Sequence, residues 1–297
     1  MKMIVRTING PWRGVLIFFL IFCCSAECFS EPLKVIYPIA SEKDTRTDYL
    51  VGVLNLALQK SGIPYSLEAA EVEMTHSRKI SSVAQGIVSV IWTAASSETE
   101  KRIDPIKIPI YGGLMGYRVF IINQKLQPAL ADVKSMEELQ TFSVGAGIGW
   151  ISVDLLKNAG FNVSVAKYES LFKMVNIGRF DLFPRGIQEA FAETQAHGAA
   201  LPSLAVEKYI GLHYDNAVFI YVRKGNSRLK NAIQTGLGKA YEDGSFKQFF
   251  QNHPFIKSTI ERADFIDRRW FEIENPYFNK DDQKAVQKYY DRVSFGQ

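Results

Sequence analysis

The stretch Gly178-Arg-Phe-Asp-Leu-Phe-Pro-Arg-Gly186 decides the predicted fold. Its centre, Asp181 to Phe183, is a short apolar run that follows Gly178 and ends before Pro184, a pattern typical of a buried parallel strand. Arg185 comes directly after that strand. Ligands of open α/β sheets collect at the carboxyl ends of strands and at the amino ends of the helices that follow. We therefore expect Arg185 to face a ligand cleft; a solvated surface arginine is the alternative.

A glycine-rich segment, Gly145-Ala-Gly-Ile-Gly-Trp150, precedes this strand and is predicted to turn into a helix over 150–159. Its third glycine does not fit the dinucleotide-binding spacing, and the lysine-serine pair of a P-loop is missing. We favour a local role in which the first amides of the helix bind one carboxylate or phosphate-like group. Trp150 then either stacks on the ligand or packs in the core.

The rest of the chain alternates between strand and helix periodicity. Strands are predicted over 33–39, 65–70 and 87–94, with helices between them, and this order predicts a parallel sheet with right-handed crossovers. A second unit of the same kind is bracketed by two long strands, 117–123 and 217–222. We interpret these two strands as a hinge between two lobes. Helices are predicted to fill the remainder.

The first 30 residues are predicted to be a cleavable secretory signal peptide. Basic residues precede the apolar run 15–24, which is too short to span a bilayer comfortably. The chain has three cysteines, and all of them lie in this segment: Cys23, Cys24 and Cys28. The exported chain would therefore have no disulfide and no cysteine-ligated metal. Bulky or charged residues precede each cysteine, so we do not expect a lipid anchor.

Charge and motif content narrow the functional classes. The formal net charge of the full chain is +4, which does not point to nucleic acid or an anionic membrane as a partner. The four histidines are scattered without paired ligand spacing, so we expect no metal site. A G-x-S-x-G elbow is missing as well. We therefore predict no cofactor and assign no catalytic residue.

Several short motifs, taken in order, carry a family resemblance. They are Gly86-Ile-Val-Ser-Val-Ile-Trp-Thr93, Glu100-Lys-Arg102, Ile108-Pro-Ile-Tyr111, Lys134-Ser-Met-Glu-Glu-Leu139, Gly178-Arg-Phe-Asp181 and Val222-Arg-Lys-Gly-Asn226. Together they resemble the bacterial periplasmic solute-binding proteins of the polar amino acid type, family 3. The resemblance implies a type 2 periplasmic-binding-protein-like α/β fold with two parallel-sheet lobes joined by a two-stranded hinge. The implied division is a first lobe from 31–116 and 223–297 and a second lobe from 117–222.

The resemblance also implies a function. Such proteins are periplasmic monomers that bind a small solute between their lobes for an ABC-type transporter, whose inner-membrane permease is the partner. Two alternatives remain: an orphan sensor or accessory protein that reports to a membrane partner, and a dehydratase-like enzyme on the same fold. Fold alone cannot argue for the enzyme, so we predict a binding protein.

The binding site departs from the family pattern. The arginine that grips a ligand carboxylate in relatives falls on Glu100, with Arg102 two residues away, and the expected aspartate near Gly186 is replaced by the neighbouring Arg185. Such a charge pattern favours a polar, acidic solute whose carboxylate Arg185 would hold as a two-pronged pair. The full set of expected ligand contacts is Tyr37, Trp92, Thr93, Arg102, Gly147, Gly149, Trp150 and Arg185.

Overall fold

The computed structural model describes residues 31–39 and 47–290. The predicted signal peptide with its three cysteines lies outside the described residues, as does most of the polar loop after the first strand. Within them the chain forms twelve strands and twelve α-helices, with two short 3₁₀ helices at Leu114–Gly116 and Gln124–Leu126.

The elements follow one another in three groups. The first is β1 (Leu33–Tyr37), α1 (Thr47–Ser61), β2 (Tyr65–Ala69), α2 (His76–Gln85), β3 (Val90–Ala94), α3 (Ser97–Glu100) and β4 (Asp104–Ile106). The second is β5 (Tyr117–Asn123), α4 (Gln127–Ala131), α5 (Met136–Leu139), β6 (Val144–Gly147), α6 (Ile151–Asn158), β7 (Val163–Ala166), α7 (Tyr168–Asn176), β8 (Phe183–Gly186), α8 (Ile187–Gly198), β9 (Leu204–Val206) and β10 (Ile210–His213). The third is β11 (Val218–Val222), α9 (Ser227–Glu242), α10 (Ser245–Asn252), α11 (Pro254–Ala263), β12 (Arg269–Glu272) and α12 (Lys280–Tyr290).

Helix α2 shows how local sequence sets an element. Thr75 precedes it, and its hydroxyl accepts a hydrogen bond from the Arg78 amide, which satisfies one of the amides left open at a helix start. Gly86 ends the helix in the left-handed conformation, with φ 78°, and its amide returns to Ser82 and Val83. The predicted helix over 75–85 with its glycine stop is therefore confirmed.

The strands form two lobes. In the first lobe β1 pairs with β2, and β11 pairs with β3 and β4; the Ser89 amide donates to the Ile36 carbonyl at 2.8 Å and joins the two parts. In the second lobe β10 pairs with β12 and β5, β5 pairs with β8 and β9, and β6 pairs with β7. The Gly145 amide donates to the Leu182 carbonyl at 2.8 Å and connects β6 to this sheet. The predicted two-lobe α/β fold is confirmed.

The sheets are mixed and not purely parallel. β11 is antiparallel to both of its neighbours, and β5 is antiparallel to β8, β9 and β10. The physical reason is that the chain inserts most of the second lobe, β5 to β10, between β4 and β11. Strands that enter from the other lobe are not bound to the right-handed crossover rule that keeps successive strands parallel.

The two strands expected to form a hinge lie in different lobes and do not pair with each other: β5 belongs to the second lobe and β11 to the first. The crossings are the short segments beside them, 113–117 and 214–217. They run side by side, since the Tyr214 amide donates to the Gly116 carbonyl at 3.2 Å. A Cβ on Gly116 would stand 2.5 Å from the Tyr214 carbonyl oxygen, so glycine permits this close passage.

The stretch around Pro184 folds differently from expectation. The strand lies at Phe183–Gly186 instead of 181–183, and it runs antiparallel to β5, while Leu182 forms one parallel bridge to Val144. Pro184 therefore lies inside the strand, opposite Phe120. β5 is its paired neighbour there, and proline is tolerated where a strand pairs on one side. Arg185 is accordingly the last but one residue of β8 and does not follow the strand.

The carboxyl-terminal stretch does not stay with one lobe. Residues 223–297 were expected to return to the first lobe, and α9 does pack against α1. However, α11 packs against α8, and β12 pairs in parallel with β10 in the second lobe. The lobe boundaries in the sequence stay a prediction, with β12 as an observed exception.

Buried apolar side chains form three clusters. The largest contains residues of both lobes, among them Leu54 of α1 and Leu237 of α9 in the first and Phe183 of β8 and Ile187 of α8 in the second. The second lies in the second lobe and includes Phe271 of β12. The third lies in the first lobe. Residues of the two lobes therefore pack against each other in one apolar cluster. Within the described residues, 31–39 and 47–290, no helix has the length and apolar composition needed to cross a bilayer.

Candidate functional site

A cavity of about 330 Å³ lies between the lobes at the two crossings. The first lobe, the crossings, the second lobe and the stretch before α12 all contribute to its wall. The described lining residues are Ala94, Ala95, Met115, Arg118, Trp150, Ile151, Ser152, Leu155, Leu156, Pro184, Arg185, Glu189, Tyr214, Asn216, Asn275 and Tyr277. Two arginines thus reach one cavity, and their surroundings differ.

Arg185 is paired within the protein. Its Nε and Nη2 atoms donate to the two carboxylate oxygens of Glu193, each at 2.6 Å, and Nη2 also lies 3.0 Å from Glu189 Oε2. The Tyr168 hydroxyl donates to Glu193 Oε1 at 2.8 Å. We call these four residues the Arg185 clamp. Only 13% of the Arg185 side chain is exposed, so the pair is held in a low-dielectric environment where such bonds are strong.

Aromatic rings complete the surroundings of Arg185. Its guanidinium carbon lies 4.9 Å from the centre of the Trp150 ring, 5.5 Å from that of Phe183 and 5.6 Å from that of Tyr168. These distances allow cation–π attraction. Burial alone would lower the pKa of Arg185, but the carboxylates of Glu189 and Glu193 outweigh it and hold the pKa above its ordinary value. Arg185 therefore stays charged and fixed.

This geometry corrects the role expected of Arg185. The sequence predicts that its two-pronged donor set holds a ligand carboxylate, but Glu193 already occupies that set. A ligand carboxylate would have to displace a buried ion pair, and breaking such a pair is costly. Arg185 lines the cavity, and its observed contacts fix the end of β8 to α8.

Arg118 is the second arginine of the cavity and has no such partner. Its Nε atom donates to the Tyr214 hydroxyl at 2.7 Å, and its guanidinium carbon lies 5.2 Å from the Tyr214 ring centre. Among the described residues, no carboxylate lies within ion-pair distance of it. Since Arg118 opposes Gly186 across the β5–β8 pair and Arg185 opposes Val119, the two arginines leave the sheet on opposite faces.

Gly186 provides space for Arg118. A Cβ at this position would stand 2.7 Å from Arg118 Nη1 and 2.4 Å from the amide nitrogen of Gln188. Gln188 is buried, and neither polar atom of its side chain has a hydrogen-bond partner. Because Gly186 has no side chain, the Arg118 guanidinium and the Gln188 side-chain amide, whose hydrogen-bonding groups have no partner, can both lie against it.

The glycine-rich segment is a strand end and a turn. Gly145 and Gly147 lie in β6, and a Cβ on either would collide with an aromatic ring, that of Phe180 at 2.2 Å or that of Trp150 at 2.3 Å. Gly149 has φ 77° and forms the turn into α6. The first turn of α6 lines the cavity through Ile151 and Ser152, so the positive end of this helix lies at the cavity.

The structure brings together part of the predicted site. Trp150 and Arg185 line the cavity, and Gly147 and Gly149 lie three residues and one residue before Trp150. Trp92 and Thr93 lie in β3 opposite Ile220 and Phe219, one or two residues before the cavity-lining Ala94. Tyr37 ends β1 and packs against the largest core cluster.

Arg102 is placed elsewhere. Its Nη2 atom donates to Ser81 of α2 at 3.0 Å on the exposed surface, and it is not among the described lining residues. Arg102, Tyr37, Trp92 and Thr93 remain predicted contacts.

Sequence reasoning missed the acidic half of the clamp and the carboxyl-terminal contribution. Glu189 and Glu193 are four residues apart on α8, a spacing that places both on one helix face directly after Arg185. This signal was available. By contrast, Arg118, Asn275 and Tyr277 carry no local pattern that points to a cavity. Among the described residues, no group of three or more His, Cys, Asp or Glu side chains could hold a metal ion.

Comparisons with known proteins give a consistent class of neighbours. The sequence matches no family model and no curated protein. An ancestral arginine-binding protein bound to arginine is similar in structure, with TM-score 0.49, 18% identity and coverage of 75% of this chain and 98% of that one. A histidine kinase sensor domain with similarity to periplasmic binding proteins has TM-score 0.48 and 14% identity, and covers 75% of this chain and 95% of that one.

A third neighbour is an ancestral amino acid-binding protein described as a precursor of cyclohexadienyl dehydratase, with TM-score 0.46, 16% identity and coverage of 74% and 93%. The fold of this chain rests on its own strand order and hydrogen bonds, given above.

Proposed function

We propose that this protein binds a small solute with an acidic group in the cavity between its lobes. The proposal rests on Arg118, whose guanidinium lines the cavity and donates to one neutral hydroxyl. Among the described residues, no carboxylate lies within ion-pair distance of it. A half-buried cation of this kind gains most from an anionic partner. A volume of about 330 Å³ suits a small metabolite and not a large one.

The distribution of charge supports an anionic group at Arg118. The first turn of α6 adds the positive end of a helix to the same cavity. On the other side, the Arg185 clamp combines one guanidinium with two carboxylates. An incoming carboxylate is therefore repelled from the clamp and attracted to Arg118, since charges interact over several ångströms in a partly buried site.

The setting and partner form the finer part of the proposal. The predicted signal peptide and the family resemblance support export to the periplasm, where the protein would act as a monomer and deliver its solute to an inner-membrane ABC permease. A membrane sensor is the alternative partner. In either case we infer binding and not turnover, and chemical change of a bound acid would instead support the dehydratase-like alternative.

Paired thermal-shift measurements test the acidic-ligand proposal. Acids and their uncharged amides, such as glutarate with glutaramide and succinate with succinamide, are compared on the wild-type protein. A ligand at a hundredfold its dissociation constant adds about 2.7 kcal/mol of stability. We expect acids and not the matching amides to raise the melting temperature. Shifts that arise only with neutral or cationic compounds would contradict the proposal.

The variant Arg118→Met tests whether Arg118 is the residue that binds the acidic group. Loss of one partner of a desolvated charge pair typically costs about 2–5 kcal/mol, so the affinity for the acid should fall at least about tenfold. Arg179→Met is the matched control, because Arg179 is exposed and is not among the described lining residues of the cavity. Equal losses in both variants would contradict the assignment of Arg118.

A further inference from the structure

Besides the two central crossings, the carboxyl-terminal part of the chain passes from the first lobe to the second and back again. After α10 in the first lobe, α11 packs on α8 and β12 joins the second-lobe sheet. The chain then returns past the cavity, and α12 docks on the first lobe. We call residues 254–290 the carboxyl-terminal strap.

A buried ion pair fixes the strap to the second lobe. Arg268 Nη1 lies 2.9 Å from Glu207 Oε2, and their side chains are 2% and 0% exposed. The same nitrogen donates to the Ile210 carbonyl at 2.7 Å, and Glu207 also accepts from the Tyr209 and Ile210 amides. Parallel pairing of β12 with β10, from Ile210 opposite Arg269 to His213 opposite Glu272, extends this attachment. An ion pair so fully hydrogen-bonded holds one geometry, and losing either partner is costly.

A second set of contacts fixes the strap to the first lobe. Asp282 of α12 is 1% exposed and lies 2.6 Å from Lys107 Nζ. Phe278 and Val286 belong to the buried cluster of Ile91, Phe219 and Tyr221. The strap is therefore attached at both ends by buried contacts, once to each lobe.

The span between the two attachments lines the cavity. Asn275 and Tyr277 are lining residues, and the Asn275 side chain donates to the Asp215 carbonyl in the second crossing at 2.8 Å. Five residues separate the last residue of β12, Glu272, from Phe278. An extended chain spans about 3.3–3.6 Å per residue, so five residues can lengthen only slightly. Separation of the lobes would therefore have to extend this span fully or detach one of its ends.

We propose that the carboxyl-terminal strap limits how far the lobes separate and forms one wall of the cavity through Asn275 and Tyr277. This restraint adds to the two crossings and acts whether or not a solute is present. It therefore does not depend on the proposed solute, and its test can be made on the ligand-free protein.

The test lengthens the strap without removing either attachment. A flexible Gly-Ser insertion of about six residues is placed between Glu274 and Asn275. Residues 31–297 contain no cysteine, so Gln59→Cys in the first lobe and Asn158→Cys in the second, both exposed, carry spin labels at two unique positions. We expect a longer mean and a broader distribution of label distances than in the unmodified protein. The same insertion after Ala199, within the second lobe, is the control and should leave the distribution unchanged.

Two further measurements complete the test. Phe278→Ala weakens the first-lobe attachment without changing the length of the strap, and should also broaden the label distances. Hydrogen exchange of the α6 peptide over 151–156, which lines the cavity, should accelerate in the lengthened protein because the wall moves away. Label distances unchanged in both variants would overturn the restraint, and unchanged exchange in α6 would overturn the wall. Circular dichroism confirms that each variant is folded.

Discussion

The two arginines of the cavity differ in what surrounds them. Arg185 donates to Glu193 with two nitrogens, lies near Glu189 and is enclosed by three aromatic rings. Arg118 donates to one tyrosine hydroxyl and faces Gly186 and the unpartnered amide of Gln188. A charge that the protein neutralises contributes to the fold, while a charge left without a counter-charge at a cavity is available to a ligand. The residue type alone does not distinguish them.

Removing the paired arginine should have the largest effect. Arg185→Ala leaves Glu193 buried without its cation, and breaking a buried pair costs about 3–5 kcal/mol. For a chain of this size that lowers the melting temperature by about 6 °C or more. Thermal unfolding of the ligand-free protein measures it. Arg118→Ala is the matched control and should shift the midpoint by about 2 °C or less, since its single bond is to a neutral hydroxyl.

A double variant separates the charge from the packing. Arg185→Met with Glu193→Leu removes both charges and keeps apolar volume, which is often close to neutral in stability. We expect it to recover much of the loss seen in Arg185→Ala. Equal melting temperatures for Arg185→Ala and Arg118→Ala would show that the two arginines do not differ as the structure indicates.

A smaller effect is expected at Gly186, where the missing Cβ leaves room for the side chains of Arg118 and Gln188. In Gly186→Ala the new Cβ would stand 2.4 Å from the Gln188 amide and 2.7 Å from Arg118 Nη1, so both side chains must move. Overpacking of this kind costs about 1–3 kcal/mol, and the acid affinity should fall with it. Gly198→Ala at the last residue of α8 is the control, because its Cβ would meet nothing within 4 Å. Acid binding that survives in Gly186→Ala would count against Arg118 as the ligand contact.

The smallest effect concerns Tyr168 of the clamp. Burial first, and then Glu193, raises the pKa of Tyr168 above its ordinary value of 10.0. The folded protein therefore keeps this proton while the unfolded chain loses it above pH 10, so the contribution of Tyr168 to stability is present below about pH 10 and falls as the pH rises further. Tyr168→Phe should cost about 1 kcal/mol at neutral pH and should show a shallower loss of stability above pH 10. Parallel curves for the two proteins would contradict this role.

Much of the fold is readable from local sequence. The alternation of strand and helix patterns gave the α/β class, Thr75 and Gly86 mark both ends of α2, and the glycine-rich segment leads into α6. These signals act over a few residues through backbone geometry and capping. The stretch from Gly178 to Gly186 also led to the cavity, because Pro184 and Arg185 line it.

By itself, the sequence determined the two-lobe α/β fold, but it predicted Arg185 to follow a strand over 181–183, whereas Arg185 lies within β8. Only the tertiary structure decided that β8 is antiparallel to β5, that Glu193 neutralises Arg185, and that no carboxylate of the described residues pairs with Arg118. It also decided that residues near position 277 reach a cavity built mainly by the second lobe. The physical reason is that strand pairing and charge neutralisation join residues far apart in sequence, such as Arg118 and Tyr214 or Glu207 and Arg268, whereas periodicity and capping report only on neighbours along the chain.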